Sequence, residues 1–135
     1  MNDPFADTVN FVGHTGIELT EISPDRVAGR IVITPNHHQP YGLIHGGVHC
    51  TLAESLASTG AAYWAVEQGM AGAVGLSNKT DFIKGISEGV IIGEATPIHR
   101  GRTHQIWQVF NTREADGKLL AQSQVRLQNV TSTDF

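Results

Sequence analysis

At 135 residues, with 40% hydrophobic and 16% charged side chains, the chain is sized for one domain that buries a core without disulfides or a structural metal. A formal net charge of −4 argues against a general nucleic-acid binder, which needs a surplus of Lys and Arg to neutralise phosphates. The single cysteine, Cys50, excludes an intrachain disulfide and a multi-cysteine metal site, and it suits a reducing compartment. The opening MNDPFADTVN has neither the basic nor the apolar region of a signal peptide, and no run approaches the roughly 18 apolar residues of a membrane span. A cytoplasmic protein without a membrane span is expected.

In chain order, the first predicted element is a short helix over about Asp3 to Val12, with Asp3 as cap, Pro4 at the first helical position and Gly13 ending it. Apolar and polar residues then alternate over Ile17 to Ile22 and Arg26 to Thr34, and the turn chemistry of Ser23-Pro24-Asp25 between them predicts a β-hairpin. After Pro35 comes a loop, NHHQPYGLIHGG, and then a helix over about 47–68 closed by Gly69. Ala53, Ala57, Gly60 and Ala61 put small side chains together on that helix, so a sheet is expected to approach it closely and bury most of it. Ala73 to Phe82, Gly89 to His99, Thr103 to Arg113 and Leu119 to Asn129 read as strands, and the last three are long and joined by short turns. One long helix against one antiparallel sheet is an α+β architecture, with 1–135 as a single domain and a frayed tail at its end.

The stretch Gln39 to Ser58, QPYGLIHGGVHCTLAESLAS, carries the chemistry. Gly46 and Gly47 let the backbone approach a ligand at the start of a helix, where unpaired N–H groups and the positive end of the dipole coincide. Such an end polarises a carbonyl oxygen as readily as it binds a phosphate, so these residues alone do not choose the ligand. Further along, Glu54 interrupts the apolar run and Ser58 follows it at i+4 on the same face. A carboxylate there either faces solvent or lines a site.

Taken together, QPYGLIHGG with Glu54 nine residues after His45, and later PIHRGRTHQIWQV and DGKLLAQSQVRL, resemble the hotdog-fold acyl-CoA thioesterases over roughly Ile17 to Asn129. The resemblance is greatest to the PaaI-like and 4-hydroxybenzoyl-CoA thioesterase branch, which includes the 1,4-dihydroxy-2-naphthoyl-CoA thioesterases. It implies a central helix wrapped by one antiparallel sheet. It further implies that Glu54 attacks a thioester or activates a water, and that Gly46 offers a backbone N–H to the oxyanion. Gln39 would bond near the thioester, His45 would hold the loop or the Glu, and Ser58 would orient the water. Glu at this helix position points to an aromatic acyl-CoA, with 1,4-dihydroxy-2-naphthoyl-CoA the most specific expectation. The turn His99-Arg100-Gly101-Arg102-Thr103 resembles the family's CoA nucleotide-binding turn, to which Lys118, and secondarily Lys79 and Lys84, would add charge. No cofactor beyond the CoA of the substrate is implied. A homodimer at least, and a homotetramer by family habit, would share each site between protomers, with Glu54 of one facing the His45-Gly46 loop of the other.

Residue type alone supports plainer readings. A lone Glu in an apolar helix is more often exposed than catalytic, a loop His is often satisfied by a carbonyl, and Ser58 can bond back one turn. Cys50 reads as a small buried hydrophobe, and the adjacent His37-His38 point apart with no third ligand in step, so no metal site is expected. Trp64, Trp107 and Phe82 read as core or pocket wall. The rival functions on the same fold are a non-catalytic acyl-CoA binder and a hydratase or dehydratase.

Overall fold

A computed structural model describes residues 9–132. The first helix, α1 (Phe11–Thr15), is capped by Asn10, whose side-chain oxygen accepts from the Gly13 N–H at 2.9 Å. Gly13 therefore lies inside the helix and does not end it. The stop is Gly16, at φ 79, a left-handed conformation that glycine adopts without a Cβ penalty. The expected cap Asp3 and Pro4 fall outside the described residues.

The hairpin follows as β1 (Glu18–Ile22) and β2 (Val27–Val32). Beyond it, the expected strand through Thr34 is cut short, because Pro35 opens a 3-10 turn over Pro35–His37 and the His37 ring accepts back from the Thr34 N–H at 3.0 Å. Then come α2 (Gly46–Glu67), β3 (Gly72–Phe82), β4 (Val90–Arg100), β5 (His104–Arg113) and β6 (Leu119–Val130). All strands pair antiparallel in the order β1-β2-β4-β5-β6-β3. β4, β5 and β6 form the expected meander, while β3 is carried across to the far edge and, among the described residues, pairs only with β6.

α2 packs against every strand. Leu52, Ala53, Leu56, Ala57 and Ala61 are fully buried on it, facing Ile31, Ile91, Trp107, Val109, Val125 and Leu127 of the sheet. The approach is as close as the small residues suggested: a Cβ on Gly60 would stand 2.5 Å from the Trp107 ring, and one on Gly93 would stand 2.7 Å from Leu56. Among the described residues no helix is long and apolar enough to cross a membrane.

Candidate active site

The loop before α2 is pinned by its histidines. His37 donates from Nε2 to the Thr15 carbonyl at 2.7 Å, and His38 uses Nε2 on the Ser87 carbonyl at 2.7 Å. Main-chain bonds from His45 N–H to His37 O and from Ile44 N–H to Ile86 O, both 2.8 Å, fix where the helix begins. His45 is the N-cap, and its Nδ1 accepts from the Gly47 N–H at 2.8 Å. Gly46 is thus the first helical residue, whose N–H has no carbonyl one turn back to bond. The Phe82 ring lies over it, close enough that a Cβ there would meet Cζ at 2.5 Å. Gln39 accepts on Oε1 from the Tyr41 N–H, and with Gly46, His49 and Phe82 it lines a cavity of about 290 Å³.

Glu54 lies two turns on. Its carboxylate is exposed and lines an open groove of about 530 Å³ with Val12, Ser58, Thr59, Tyr63 and Val66, so the i+4 pair does share one site. The groove walls are chiefly apolar, and β3 closes one side: a Cβ on Gly75 would be 3.6 Å from the Glu54 carboxyl carbon. At that point β3 shifts register, between Gly75 and Ser77. Cys50, expected to be buried, is half-buried and lines a hollow with Glu54, one turn on, and with Asn78, whose Nδ2 donates to the Cys50 carbonyl at 2.9 Å.

One protomer does not bring all five residues together. Gly46 and Glu54 are eight residues apart on one helix, about 12 Å along its axis. Gln39 and Gly46 border one cavity, Glu54 and Ser58 another, and His45 faces a third hollow with His14, His37 and His38.

The basic turn between β4 and β5 is tied to the core. Asn129 Nδ2 donates to the Gly101 and Arg102 carbonyls at 2.9 and 3.2 Å, while buried Gln105 joins Asn129 to the Ala61 carbonyl of α2. Arg102 and Thr103 are exposed on it, beside His99. Arg100 is otherwise engaged: its guanidinium bonds the Asp25 carboxylate and the Pro24 carbonyl, each at 2.9 Å, and stacks over Trp64 at 5.5 Å. Lys118 does not join this patch within a protomer. It sits in the β5–β6 turn at the other end of β5, a strand of 10 residues and so about 30 Å long. Lys84, which bonds Leu120 through its N–H, is at Lys118's end and lines the Gln39 cavity, whereas Lys79 pairs with Asp81 at 3.6 Å.

The family described as the thioesterase superfamily matches residues 41–120, from the loop before α2 into the start of β6. The chain belongs to the thioesterase superfamily. A Mycobacterium tuberculosis protein provisionally named an esterase is 41% identical over 94% of this chain and 91% of its own length. A solved structure of that esterase superposes at TM-score 0.85, with 39% identity over 89% of this chain and 95% of the other. The 1,4-dihydroxy-2-naphthoyl-CoA hydrolase of Escherichia coli is 35% identical over 74% of this chain and 72% of its own. A thioesterase structure from Haemophilus influenzae matches at TM-score 0.82 and 30% identity, covering 92% and 86% of the two chains.

The fold is accordingly the hotdog fold, and the family and the names of its members support a hydrolase. Within this thioesterase-superfamily chain the sequence reading missed His49, Asn78 and Tyr63 as site neighbours. His49 had a signal, its spacing of three from Gly46 on one helix face. Burial at 2% exposure pushes its imidazole down to about 4, so it is neutral at physiological pH.

Proposed function

We propose that this chain hydrolyses acyl-CoA thioesters, preferring an aromatic acyl group, at sites that two protomers share. The observation that carries the reading is the separation of the candidate parts into two places, Glu54 and Ser58 in an apolar groove, and Gly46 about 12 Å back along α2, where it shares a second cavity with Gln39 of the preceding loop. Among the described residues β3 is an edge strand of 11 residues beside Glu54 with no partner on its outer side, and Val74 and Leu76 are exposed on it. A second copy pairing along β3 would set its own Gly46 loop near this Glu54. A dimer is then the smallest active unit, with a tetramer the expected assembly of two dimers.

In this site the thioester carbonyl accepts from the Gly46 N–H, which the helix dipole makes a better donor. Glu54 attacks the carbonyl carbon, or takes a proton from a water that does so. On the first route the C–S bond breaks as an acyl–Glu54 anhydride forms, the thiolate takes a proton from water, and a further water cleaves the anhydride to free the acid and Glu54. On the second the water oxygen becomes part of the acid, the C–S bond breaks, and the proton held by Glu54 passes to the departing thiolate. Neither route calls for a metal or a cofactor. The nucleotide end of CoA meets His99, Gly101, Arg102 and Thr103, with Arg100 stiffening the turn from behind. Lys118 is too far along its own protomer to act on the same phosphates and would serve an adjoining site. An aromatic acyl group suits the apolar groove, and it is also the substrate class named for the E. coli relative. A CoA-thioester substrate supports a cytoplasmic enzyme.

Release of free thiol from a panel of acyl-CoAs tests this reading. Hydrolysis is expected, with benzoyl- and naphthoyl-type thioesters giving the highest kcat/KM. Much higher values for medium-chain aliphatic thioesters would overturn the aromatic preference. Absence of hydrolysis across the panel, or hydration of crotonyl-type substrates instead, would overturn the thioesterase.

A further inference from the structure

The cavity beside Gln39 and Gly46 holds a polar side chain that the hydrolysis scheme leaves unused. His49 is 2% exposed, borders this cavity, and follows Gly46 by three residues on α2. Its Nδ1 lies 3.1 Å from Nδ2 of Asn111, and the same amide nitrogen lies 3.3 Å from the His49 carbonyl. An amide NH2 only donates, so Nδ1 accepts and the neutral ring carries its proton on Nε2. Turning the amide over would set two oxygens against each other, so the same contacts fix both the amide and the tautomer. Asn111 on β5 is itself 1% exposed, and its Oδ1 has no partner among the described residues. Two buried polar side chains with one acceptor left bare are a costly way to fill space that apolar residues would fill without loss.

The ring is therefore held by the sheet at Nδ1, which leaves Nε2 on the opposite edge of a residue that borders the cavity. Its centroid is 6.2 Å from that of Phe82, the ring that covers Gly46. We propose that His49 is a substrate contact, donating from Nε2–H to the acyl oxygen of the bound thioester as a second donor beside the Gly46 N–H. This rests on the thioesterase reading of the Gly46 end of α2. Because burial holds the ring neutral, His49 acts as a hydrogen-bond donor throughout and gives up no proton. Asn111 is a positioning residue: among the described residues its side-chain hydrogen bonds go to His49, and they select the tautomer that leaves a donor facing the substrate.

Two measurements on the full-length protein test this. The first compares thiol release by wild type, His49→Phe and the double variant His49→Phe/Asn111→Leu, the last of which removes both buried polar groups together. At least about a tenfold fall in kcat is expected in each, with secondary structure and sedimentation unchanged. Folded variants within about twofold of wild type would overturn the proposal. The second follows the His49 ring nitrogens of wild type by 15N NMR during titration with phenacyl-CoA, a thioether ketone that keeps a carbonyl near sulfur and is not hydrolysed. The Nε2–H tautomer and an Nε2 shift on binding, absent with CoA alone, are expected. An Nδ1–H tautomer, or a saturating titration that leaves Nε2 unmoved, would overturn it even if neither variant folds. If wild type hydrolyses no thioester, the thioesterase reading falls on the first measurement, while the His49 contact is still judged on the second.

Discussion

Replacing Glu54 with Gln keeps size and hydrogen-bonding reach but removes the negative charge that both routes of hydrolysis need. A fall in kcat of at least about 100-fold is expected, about 2.7 kcal/mol of barrier, with KM little changed. Steady-state thiol release checks it, and a residual rate within about threefold of wild type would take Glu54 out of the chemistry. Because the carboxylate is exposed in the protomer, stability should move by no more than about 0.5 kcal/mol. His49 makes a separate prediction about acid. Its folded pKa is depressed to about 4 from an ordinary 6.5. Above pH 6.5 it is neutral in both states, and as pH falls from 6.5 toward 4 only the unfolded chain gains the proton, so stability drops across that window by up to about 3 kcal/mol. Urea midpoints at pH 7 and pH 4.5 should therefore differ less in His49→Phe than in wild type. An equal or larger acid loss in the variant would contradict this. Glu54, Gln39, His45, Gly46 and Ser58 could be singled out as candidates in the sequence because they lie within 20 residues on one loop and one helix. The His49–Asn111 contact spans 62 residues, and nothing local announces it.

The packing of α2 on the sheet turns on places without side chains. At Gly60, Ala would gain about 1 kcal/mol of helix propensity, but its Cβ would stand 2.5 Å from a Trp107 ring that is fully buried and held by its Nε1–H bond of 2.8 Å to Gln105. Overpacking of that kind costs about 1–3 kcal/mol, so Gly60→Ala is expected to destabilise on balance, as read by the thermal or urea midpoint. A stabilised variant would mean that the helix stands farther from the sheet than described. The cluster of small residues was visible in the sequence because it is periodic on one element. The strands were visible too, with ends displaced by one residue at most, save the end of β2, which falls two residues short because Pro35 and the His37 ring convert the expected strand end into a 3-10 turn. The place of β3 at the far edge was not legible, since it depends on which strand accepts it across a 22-residue helix. Nor was the engagement of Arg100 by Asp25, 75 residues away, which takes that guanidinium out of the exposed turn.

A site divided between two chains makes activity a property of the assembled dimer, and a mixing experiment tests this directly. Glu54→Gln removes the carboxylate. Gly46→Pro removes the N–H at a first helical position where proline is tolerated, and His45 before it is already extended, at φ −70 and ψ 133. The nearest neighbour of the added Cβ is the exposed Phe82 ring, which has room to turn aside. Each homodimer should be at least about 100-fold less active than wild type. A mixed dimer would pair intact Glu54 of one chain with intact Gly46 of the other at one of its two sites. Co-refolding the two variants in equal amounts, with mixed dimers verified by native mass spectrometry, should therefore restore about a quarter of wild-type activity. A verified mixture no more active than its parents would contradict a shared site.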